Sequence, residues 1–227
     1  MFDRTALLIG KNNLDRINKL KVLVIGVGGV GGYVVETLVR SGVMNITIVD
    51  YDVIDITNIN RQIIANKDNI GTYKVTAWKE RINSINSGVL VNTINTKINE
   101  ENIDILFADN YDYIIDACDT ISVKKLLIKL CSEKNIKLIT VCGMGKRLDP
   151  SKVMICDIRD TSYDPIAKSL RKYVKDNNIH GKVSVVFSSE IPIKTSDEVI
   201  ASMAMVPASA GILASFYVIN DVLKENK

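Results

Sequence analysis

Runs of apolar residues alternate with stretches of helical periodicity along most of the chain. KVLVIG (21–26) is apolar on both faces, which is typical of a central strand in a parallel sheet, and NITIVD (45–50) is the second predicted strand. Between them, GGYVVETLVRSG (31–42) has apolar residues at helical spacing and stops at a glycine. This order predicts a strand–helix–strand unit at the start of the fold.

The same alternation continues as far as residue 143. Strand patterns lie at 89–95, 111–119 and 137–143, and helical patterns lie at 71–86, 101–108 and 122–135. The alternation predicts the α/β class, with a Rossmann-like, doubly wound and mostly parallel sheet.

The pattern changes after about residue 150. Strands are predicted at 152–158 and 182–190, a basic helix at 164–177, a polar loop at 192–199 and an apolar helix at 203–219. No linker rich in proline or serine sets this part off from the rest. We therefore predict one domain, 1–227, in which a Rossmann-like core (1–150) carries a C-terminal extension with antiparallel strands and the apolar helix (151–227).

The apolar segment 203–219 is at the short limit of a membrane span. Pro207 and Gly211 interrupt it, and charged residues follow at Asp221 and Lys224. We expect a buried helix in the interface of a homodimer, and membrane association is the less favoured alternative.

Composition limits the chemistry that the chain can perform. It has 227 residues, 47% hydrophobic and 24% charged, with a net charge of +3, and this mild charge neither demands nor forbids an anionic partner. The start of the chain lacks the pattern of a signal peptide. The single histidine, His180, argues against a histidine-based metal site or catalytic triad and is expected in a loop. The cysteines form no CxxC pair, so we expect no zinc site and reduced thiols in a cytoplasmic protein: Cys118, Cys131, Cys142 and Cys156.

The loop GVGGVG (26–31) follows a predicted strand and opens a predicted helix. Gly26 permits a sharp turn, Gly28 permits close approach of a phosphate, and Gly31 permits close packing of helix on strand. Gly29 is a further position in this loop without a side chain. Phosphate groups favour such a helix N-terminus, so we predict a nucleotide site. Asp50, at the end of the second strand, is placed to accept hydrogen bonds from ribose hydroxyls, which fits NAD and ATP equally.

Residues that follow Asp50 favour ATP over NAD. Hydride transfer needs no cation at phosphorus, whereas transfer of AMP builds charge on the α-phosphate and expels pyrophosphate. Arg61 and Lys74 are expected to converge on those phosphates, and the alternative is that both are solvated surface bases. Asp119 is a candidate ligand for Mg²⁺, since this ion prefers oxygen. Asp116 lies in an apolar run and either supports the site or is satisfied within the fold.

Four segments together resemble the ThiF-type adenylyltransferases, a family related to ubiquitin-activating enzymes: GVGGVGGYVVETLVRSG (26–42), DYDVIDITNINRQ (50–62), GTYKV (71–75) and DACDT (116–120). The resemblance implies that Asp50 binds ribose and that Asp119 lies at Mg²⁺. It also implies that further residues of these motifs bind the triphosphate or support its binding: Asp52, Asn58, Arg61, Gln62 and Lys74.

Within that family the chain looks most like the tRNA threonylcarbamoyladenosine dehydratases. The similar segments are FDRTALLIG (2–10), GMGKRLDPSKV (143–153), DIRDTSYDPIAKSLRK (157–172) and VFSSE (186–190). The resemblance implies that ATP activates the threonyl carboxylate of a modified adenosine in tRNA, and that the ureido group then closes a ring and displaces AMP. Arg61, Lys74 and Asp119 are the implied catalytic residues.

The chain departs from this branch at two places. Leu7 stands where the branch has an arginine, which in relatives reaches the ATP of the partner subunit, and Arg4 is a candidate to replace it. The stretch PASA (207–210) stands where some members have a cysteine. Because ring closure needs no thiolate, we expect Cys118 and Cys142 to be core residues.

Two other functions remain open from the sequence. One is adenylylation of the C-terminal glycine of a ubiquitin-like sulfur carrier, although such enzymes commonly have paired cysteines for zinc. The basic helix AKSLRKYVK (167–175) also suits RNA better than a carrier tail. The other is an NAD-binding Rossmann protein, which gives Arg61, Lys74 and Asp119 no role.

Overall fold

The computed structural model describes residues 1–194 and 200–224. Its strands are β1 (Lys21–Ile25), β2 (Asn45–Val49), β3 (Leu90–Ile94), β4 (Tyr113–Asp116), β5 (Lys137–Val141), β6 (Val153–Asp157) and β7 (Ser184–Ser188). Its helices are α1 (Asp3–Ile9), α2 (Lys11–Lys19), α3 (Gly31–Arg40), α4 (Lys74–Ile85), α5 (Ile121–Lys134), α6 (Pro165–Asp176) and α7 (Met205–Lys224). Short 3₁₀ helices include Ile56–Asn58 and Ile103–Phe107.

All seven strands belong to one sheet in the order β3-β2-β1-β4-β5-β7-β6. The first six strands in that order run parallel to one another, and only the edge strand β6 is antiparallel, with Val153 opposite Ser188. The predicted α/β class and the Rossmann-like, mostly parallel sheet are therefore confirmed. The antiparallel extension consists of one strand pair, since β7 itself joins β5 in parallel.

Helices cover both faces of the sheet, as a parallel sheet requires. One core packs α3, α4 and α7 against one face and includes Val22, Val24 and the fully buried Trp78. On the opposite face, α5 packs against Leu23 and Ile25 through Val123 and Leu127. A third cluster places α6 beside α5 through Leu170 and Val174. The molecule therefore has an α3–α4–α7 side and an α5–α6 side.

The apolar C-terminal segment forms the helix α7, which is partly buried. Val206, Ala210, Ala214, Val218 and Val222 are buried in the core shared with α3. The same helix leaves large apolar side chains exposed: Met205, Ile212 and Phe216. Its length and hydropathy are sufficient for a membrane span, and 44% of the apolar window is buried inside the protein. Burial inside the protein therefore accounts for only part of the apolar character of α7.

Two features near the chain ends differ from the sequence pattern or escape it. The helices α1 and α2 have no counterpart in the predicted elements, and α1 exposes Leu7 and Leu8. Residues 192–194 of the polar loop predicted at 192–199 form no helix or strand. Residues 195–199 of that loop lie outside the described residues. His180 lies in the loop between α6 and β7, as expected.

Candidate nucleotide-binding site

A cavity of about 430 Å³ opens at the carboxyl ends of four neighbouring parallel strands. The residues that follow β1, β2, β4 and β5 line it: Gly26, Asp50, Ala117 and Cys142. Open α/β sheets bind ligands at this edge, in the crevice where the connections leave the sheet on opposite sides. The location alone thus marks the cavity as the candidate site.

The glycine loop is shaped by contacts that exclude side chains. Gly26 has φ +79°, and a Cβ there would lie 2.9 Å from the backbone nitrogen of Cys118. A Cβ on Gly31 would lie 1.8 Å from the carbonyl oxygen of Gly26, so α3 begins directly against β1. The loop therefore makes a tight turn and presents the N-terminus of α3 to the cavity, where free N–H groups favour an anion.

The Asp50 carboxylate is held by the backbone on both oxygens. Its Oδ2 accepts a hydrogen bond from the Val27 N–H at 2.8 Å, and its Oδ1 accepts one from the Asp52 N–H at 3.0 Å. A carboxylate accepts about four hydrogen bonds, so acceptor capacity remains. Asp50 lines the cavity and is placed to receive a pair of hydroxyl groups.

Lys74 is a buried cation with one carboxylate partner in the described residues. Its Nζ lies 2.7 Å from Asp52 Oδ2, and its side chain is 6% exposed against 45% for Asp52. The Lys74 N–H also donates to the Asp52 carbonyl, which fixes the start of α4 beside β2. Lys74 is therefore not a solvated surface base, and it brings a positive charge to the cavity wall.

A short 3₁₀ helix, Ile56–Asn58, turns the next residues toward the glycine loop. Asp55 Oδ1 accepts a hydrogen bond from the Thr57 N–H at 2.8 Å, while Asn58 Oδ1 accepts one from the Asp55 N–H at 3.1 Å. Hydrogen bonds from the hydroxyl and the N–H of Thr57 lower the pKa of Asp55. The reciprocal cap stabilises a turn too short to persist alone.

Arg61 and Gln62 follow that turn and approach the glycines. A Cβ on Gly29 would lie 3.5 Å from Arg61 Cγ, and a Cβ on Gly28 would lie 3.5 Å from Gln62 Nε2. Arg61 Nη1 donates to the Thr57 carbonyl at 2.8 Å, and no carboxylate among residues 1–194 and 200–224 pairs with it. Gln62 Oε1 is buried without a hydrogen-bond partner. Both side chains are available to a ligand.

Asp119 lies in the loop after β4, exposed at the cavity wall. The Thr120 hydroxyl donates to it at 3.4 Å. An exposed carboxylate beside a triphosphate suits Mg²⁺, which usually takes one or two carboxylates together with substrate phosphates. No group of three or more His, Cys, Asp or Glu side chains within the described part of the chain is arranged to hold a metal by itself.

Asp116 and Lys124 form a completely buried ion pair beneath the cavity. Lys124 Nζ lies 3.1 Å from Asp116 Oδ2 and donates to the Val141 carbonyl at 2.8 Å. Burial acts to lower the pKa of Lys124, but the Asp116 carboxylate acts against it and the net pKa is raised. The Cys118 N–H donates to Asp116 at 3.2 Å. The pair therefore ties together the ends of β4 and β5, from which both cavity loops depart.

The two thiols at the cavity, Cys118 and Cys142, are held in the neutral form. Burial is the largest cause that raises the pKa of each, and the neighbouring Asp116 and Asp164 carboxylates act in the same direction. A thiol with a raised pKa is a poor nucleophile at neutral pH because its thiolate is scarce.

A second buried ion pair holds the wall formed by Gly143–Gly145. Arg147 Nη2 lies 3.2 Å from Asp164 Oδ2, and the same guanidinium donates to the Gly143 carbonyl. Asp164 Oδ1 accepts the Ala167 N–H at 2.7 Å and so caps α6. One arginine thus joins the loop after β5 to the start of α6.

Every residue predicted for the site except Gly31 lines this cavity: Gly26, Gly28, Gly29, Asp50, Asp52, Asn58, Arg61, Gln62, Lys74 and Asp119. Gly31 lies behind the loop and shapes it. The buried Lys124 is not among the predicted site residues, although a lysine in the apolar stripe of a helix is a signal for it. Nothing in the pattern indicated that Arg147 would be buried.

The fold and the site together define a nucleotide-binding α/β protein. The model of the ThiF family matches residues 2–219, and the chain belongs to that family. The tRNA threonylcarbamoyladenosine dehydratase of Bacillus subtilis is 38% identical over 99% of this chain and 95% of its own length. The enzyme of that name from Escherichia coli is 36% identical over 83% of this chain and 73% of its own length.

Solved structures give the same result. The structure of the Escherichia coli tRNA N6-threonylcarbamoyladenosine dehydratase, TcdA, in complex with ATP is similar with a TM-score of 0.93, at 33% identity over 99% of this chain and 94% of that one. The same enzyme in complex with AMP has a TM-score of 0.92 and 32% identity over 98% of this chain and 94% of that one.

Proposed function

We propose that this protein converts N6-threonylcarbamoyladenosine in tRNA to its cyclic form, with ATP as the co-substrate. The observation that carries the proposal is the single cavity in which the glycine loop, Asp50, Arg61, Lys74 and Asp119 meet. The near full-length similarity to dehydratases of this name, one of them bound to ATP and to AMP, selects the substrate.

The residues of the cavity divide the binding of ATP among them. Asp50, already oriented by two N–H groups, binds the ribose hydroxyls. The N-terminus of α3 binds phosphate, and Asn58, Arg61 and Lys74 hold the triphosphate, with Gln62 and Asp52 supporting the two cations. Asp119 holds Mg²⁺, which neutralises charge on the phosphate oxygens when bound.

The first reaction forms an acyl-adenylate. A threonyl carboxylate oxygen bonds to the α-phosphorus, and the bond from that phosphorus to pyrophosphate breaks. Negative charge grows on the phosphate oxygens in this step, and Arg61 and Lys74 stabilise it because they are fixed cations in a partly dehydrated cleft. The ion pair with Asp52 holds the Lys74 ammonium in place before ATP arrives.

The second reaction closes the ring. The ureido group attacks the activated carbonyl, loses a proton and displaces AMP, so that tRNA loses one water overall while ATP becomes AMP and pyrophosphate. AMP is a far better leaving group than hydroxide, which is why the carboxylate is adenylylated first. Cys118 and Cys142, both neutral thiols, take no part, and no thioester is formed.

We propose a homodimer in the cytoplasm, formed by one folded unit that spans 1–227. The exposed apolar residues of α1 and α7 support an interface: Leu7, Leu8, Ile212 and Phe216. The unpaired cysteines suit a reducing compartment. Arg4, in α1, is proposed to reach the partner's ATP in place of the arginine that Leu7 replaces. Light scattering on the purified protein tests the dimer, and a monomer at micromolar concentration contradicts it.

Incubation with ATP, Mg²⁺ and tRNA that contains threonylcarbamoyladenosine tests the function. We expect AMP and pyrophosphate in equal amounts and a nucleoside lighter by one water in the mass spectrum. tRNA without the modification is the control and should release no AMP. AMP formation only upon addition of a ubiquitin-like carrier protein would assign the site to the alternative substrate, and reduction of added NAD would assign it to hydride transfer.

A further inference from the structure

We propose that the outer face of α5 and α6 is the surface that binds the tRNA backbone next to the cavity. The inference rests on the proposed function and adds to it the location of the polyanionic substrate. We call this surface the α5–α6 face; its members are Lys125, Lys129, Tyr163, Lys168, Lys172 and Lys175.

Both helices begin at the cavity. Thr120, the N-cap of α5, and Val123 in its first turn line the cavity wall. Ile166, in the first turn of α6, lines it as well. An RNA strand whose modified adenosine occupies the cavity can therefore leave the cavity across the first turns of α5 and α6.

The lysines of α6 form a stripe that leads away from the cavity. Lys168, Lys172 and Lys175 are exposed, whereas Leu170 and Val174 are buried on the opposite side of the helix. At a rise of about 1.5 Å per residue the three lysines cover roughly 10 Å of helix axis. A row of cations of this length fits successive phosphates.

The neighbouring helix adds two lysines to the row. Lys129 is exposed and Lys125 lies with its Nζ 5.8 Å from the ring centre of Tyr173, so α5 and α6 meet with their basic residues side by side. None of the five lysines is paired with a carboxylate in the described residues. Because they neutralise nothing inside the protein, their charge is available to an external anion.

Tyr163 provides a flat surface at the same edge. It is 61% exposed and has φ +52°, a conformation that is costly for an aromatic residue. Its carbonyl accepts a hydrogen bond from Arg147 at 3.4 Å, and the next residue is the buried Asp164. The surrounding ion pair thus holds an exposed ring in a strained position beside the cavity wall, which suits stacking of an unpaired base.

Fluorescence anisotropy with labelled tRNA tests the surface. The double variant K168A/K172A should weaken binding about tenfold, and the slope of log Kd against log salt should fall by roughly 1.4–1.8, since each lost phosphate contact contributes about 0.7–0.9. K19A/K79A is the matched control, because Lys19 and Lys79 are exposed on α2 and α4 on the other side of the sheet. The control should bind like wild type, and both variants should bind ATP normally.

Tyr163 is tested by a pair of substitutions. Y163A should weaken tRNA binding about tenfold, which corresponds to about 1.4 kcal/mol for one stacked base, whereas Y163F should bind like wild type because stacking needs only the ring. Equal loss in both variants, or in neither, contradicts the stacking role.

Binding and turnover separate this proposal from the proposed function. If wild type converts the modified tRNA but K168A/K172A and its control have equal Kd values and equal salt slopes, the α5–α6 face does not bind tRNA. The proposed function then stands without this surface. If no cyclic product forms yet K168A/K172A still loses binding selectively, the surface stands and the function is wrong.

Discussion

Lys124 and Asp116 face each other with no solvent access, and the ammonium of Lys124 also bonds to the carbonyl of Val141. The pair lies directly under the loops that carry Asp119 and Gly143. The ion pair therefore fixes the position of two cavity walls, in addition to the electrostatic attraction between its two charges.

Removal of one partner should expose this dependence. K124M leaves the Asp116 carboxylate buried and unpaired, and the free energy of unfolding should fall by about 3–5 kcal/mol. Urea unfolding followed by circular dichroism measures the loss. The double variant D116N/K124M should recover part of it, because the uncompensated charge is gone; a double variant as unstable as K124M would contradict a charge effect.

The cations of the cavity should act on turnover more than on stability. R61A should lower kcat for AMP release by about 10²–10³, the usual cost of losing one preorganised charge at a transition state. R61K should recover part of the rate, since it restores charge without the planar fork. Quenched-flow measurement of AMP with saturating tRNA gives kcat, and an unchanged rate in R61A would remove Arg61 from the mechanism.

The thiols should be dispensable. In C118A and C142A we expect AMP release and cyclic product within about threefold of wild type, because both groups are neutral thiols at neutral pH. A loss of product with retained adenylylation of the carboxylate would instead indicate a covalent thioester. Intact-protein mass spectrometry of the trapped reaction distinguishes the two outcomes.

The glycine loop should tolerate no methyl group at Gly31. In G31A the new Cβ would lie 1.8 Å from the Gly26 carbonyl oxygen, which is a severe steric clash, so either α3 or the loop must move. ATP binding measured by calorimetry should weaken at least about tenfold, because the N–H groups that bind phosphate lose their alignment. A Cβ at Gly181 would meet nothing within 4 Å, and Gly181 has no positive φ, so G181A is the matched control and should keep its affinity for ATP.

Acid should weaken the link between α3 and α4 through Glu36. Burial raises the pKa of Glu36, but hydrogen bonds from Arg81 and Arg40 outweigh it and hold the pKa below its usual value of 4.5. A lowered folded-state pKa gives stability that is complete above about pH 4.5 and is lost as pH falls through the folded value. E36Q should therefore be less stable than wild type at pH 7 and closer to it near pH 3. Urea denaturation at both pH values measures the free energy of unfolding of E36Q and of wild type. The same difference between the two proteins at both pH values would show that Glu36 does not contribute to the pH dependence of stability.

The parts of the fold that could be predicted have strong local signals. Strands β1, β2 and β4 are buried at nearly every position. Among the residues predicted to bind nucleotide, Gly26 and Asp50 directly follow strands, and Lys74 begins a helix. Because parallel strands end at one edge, chain order alone brought Asp50 and Asp119 to the same cavity. The proximity of Arg61 to Gly29 was inferable from the motif, whereas the direction of its guanidinium toward Thr57 was not.

Other parts depend on contacts between distant residues. The burial of Arg147 has no local sequence signal, since its ion-pair partner Asp164 and the Glu190 carbonyl come from later segments. The short helices α1 and α2 have only two buried residues, Leu14 and Ile17, and both of these belong to the otherwise polar α2. The antiparallel direction of the edge strand β6 follows from its pairing with β7, which lies some thirty residues later in the chain.

The position of α7 has a consequence for biosynthesis. Its buried residues complete the core around α3, and Pro207 lines the cavity next to the glycine loop. During translation the apolar side of α3 stays uncovered until the segment 205–224 has left the ribosome, long after residues 1–150 have emerged. Such a high-contact-order closure postpones native packing until α7 has emerged, and in the interval the nascent chain exposes hydrophobic segments of the kind that chaperones bind.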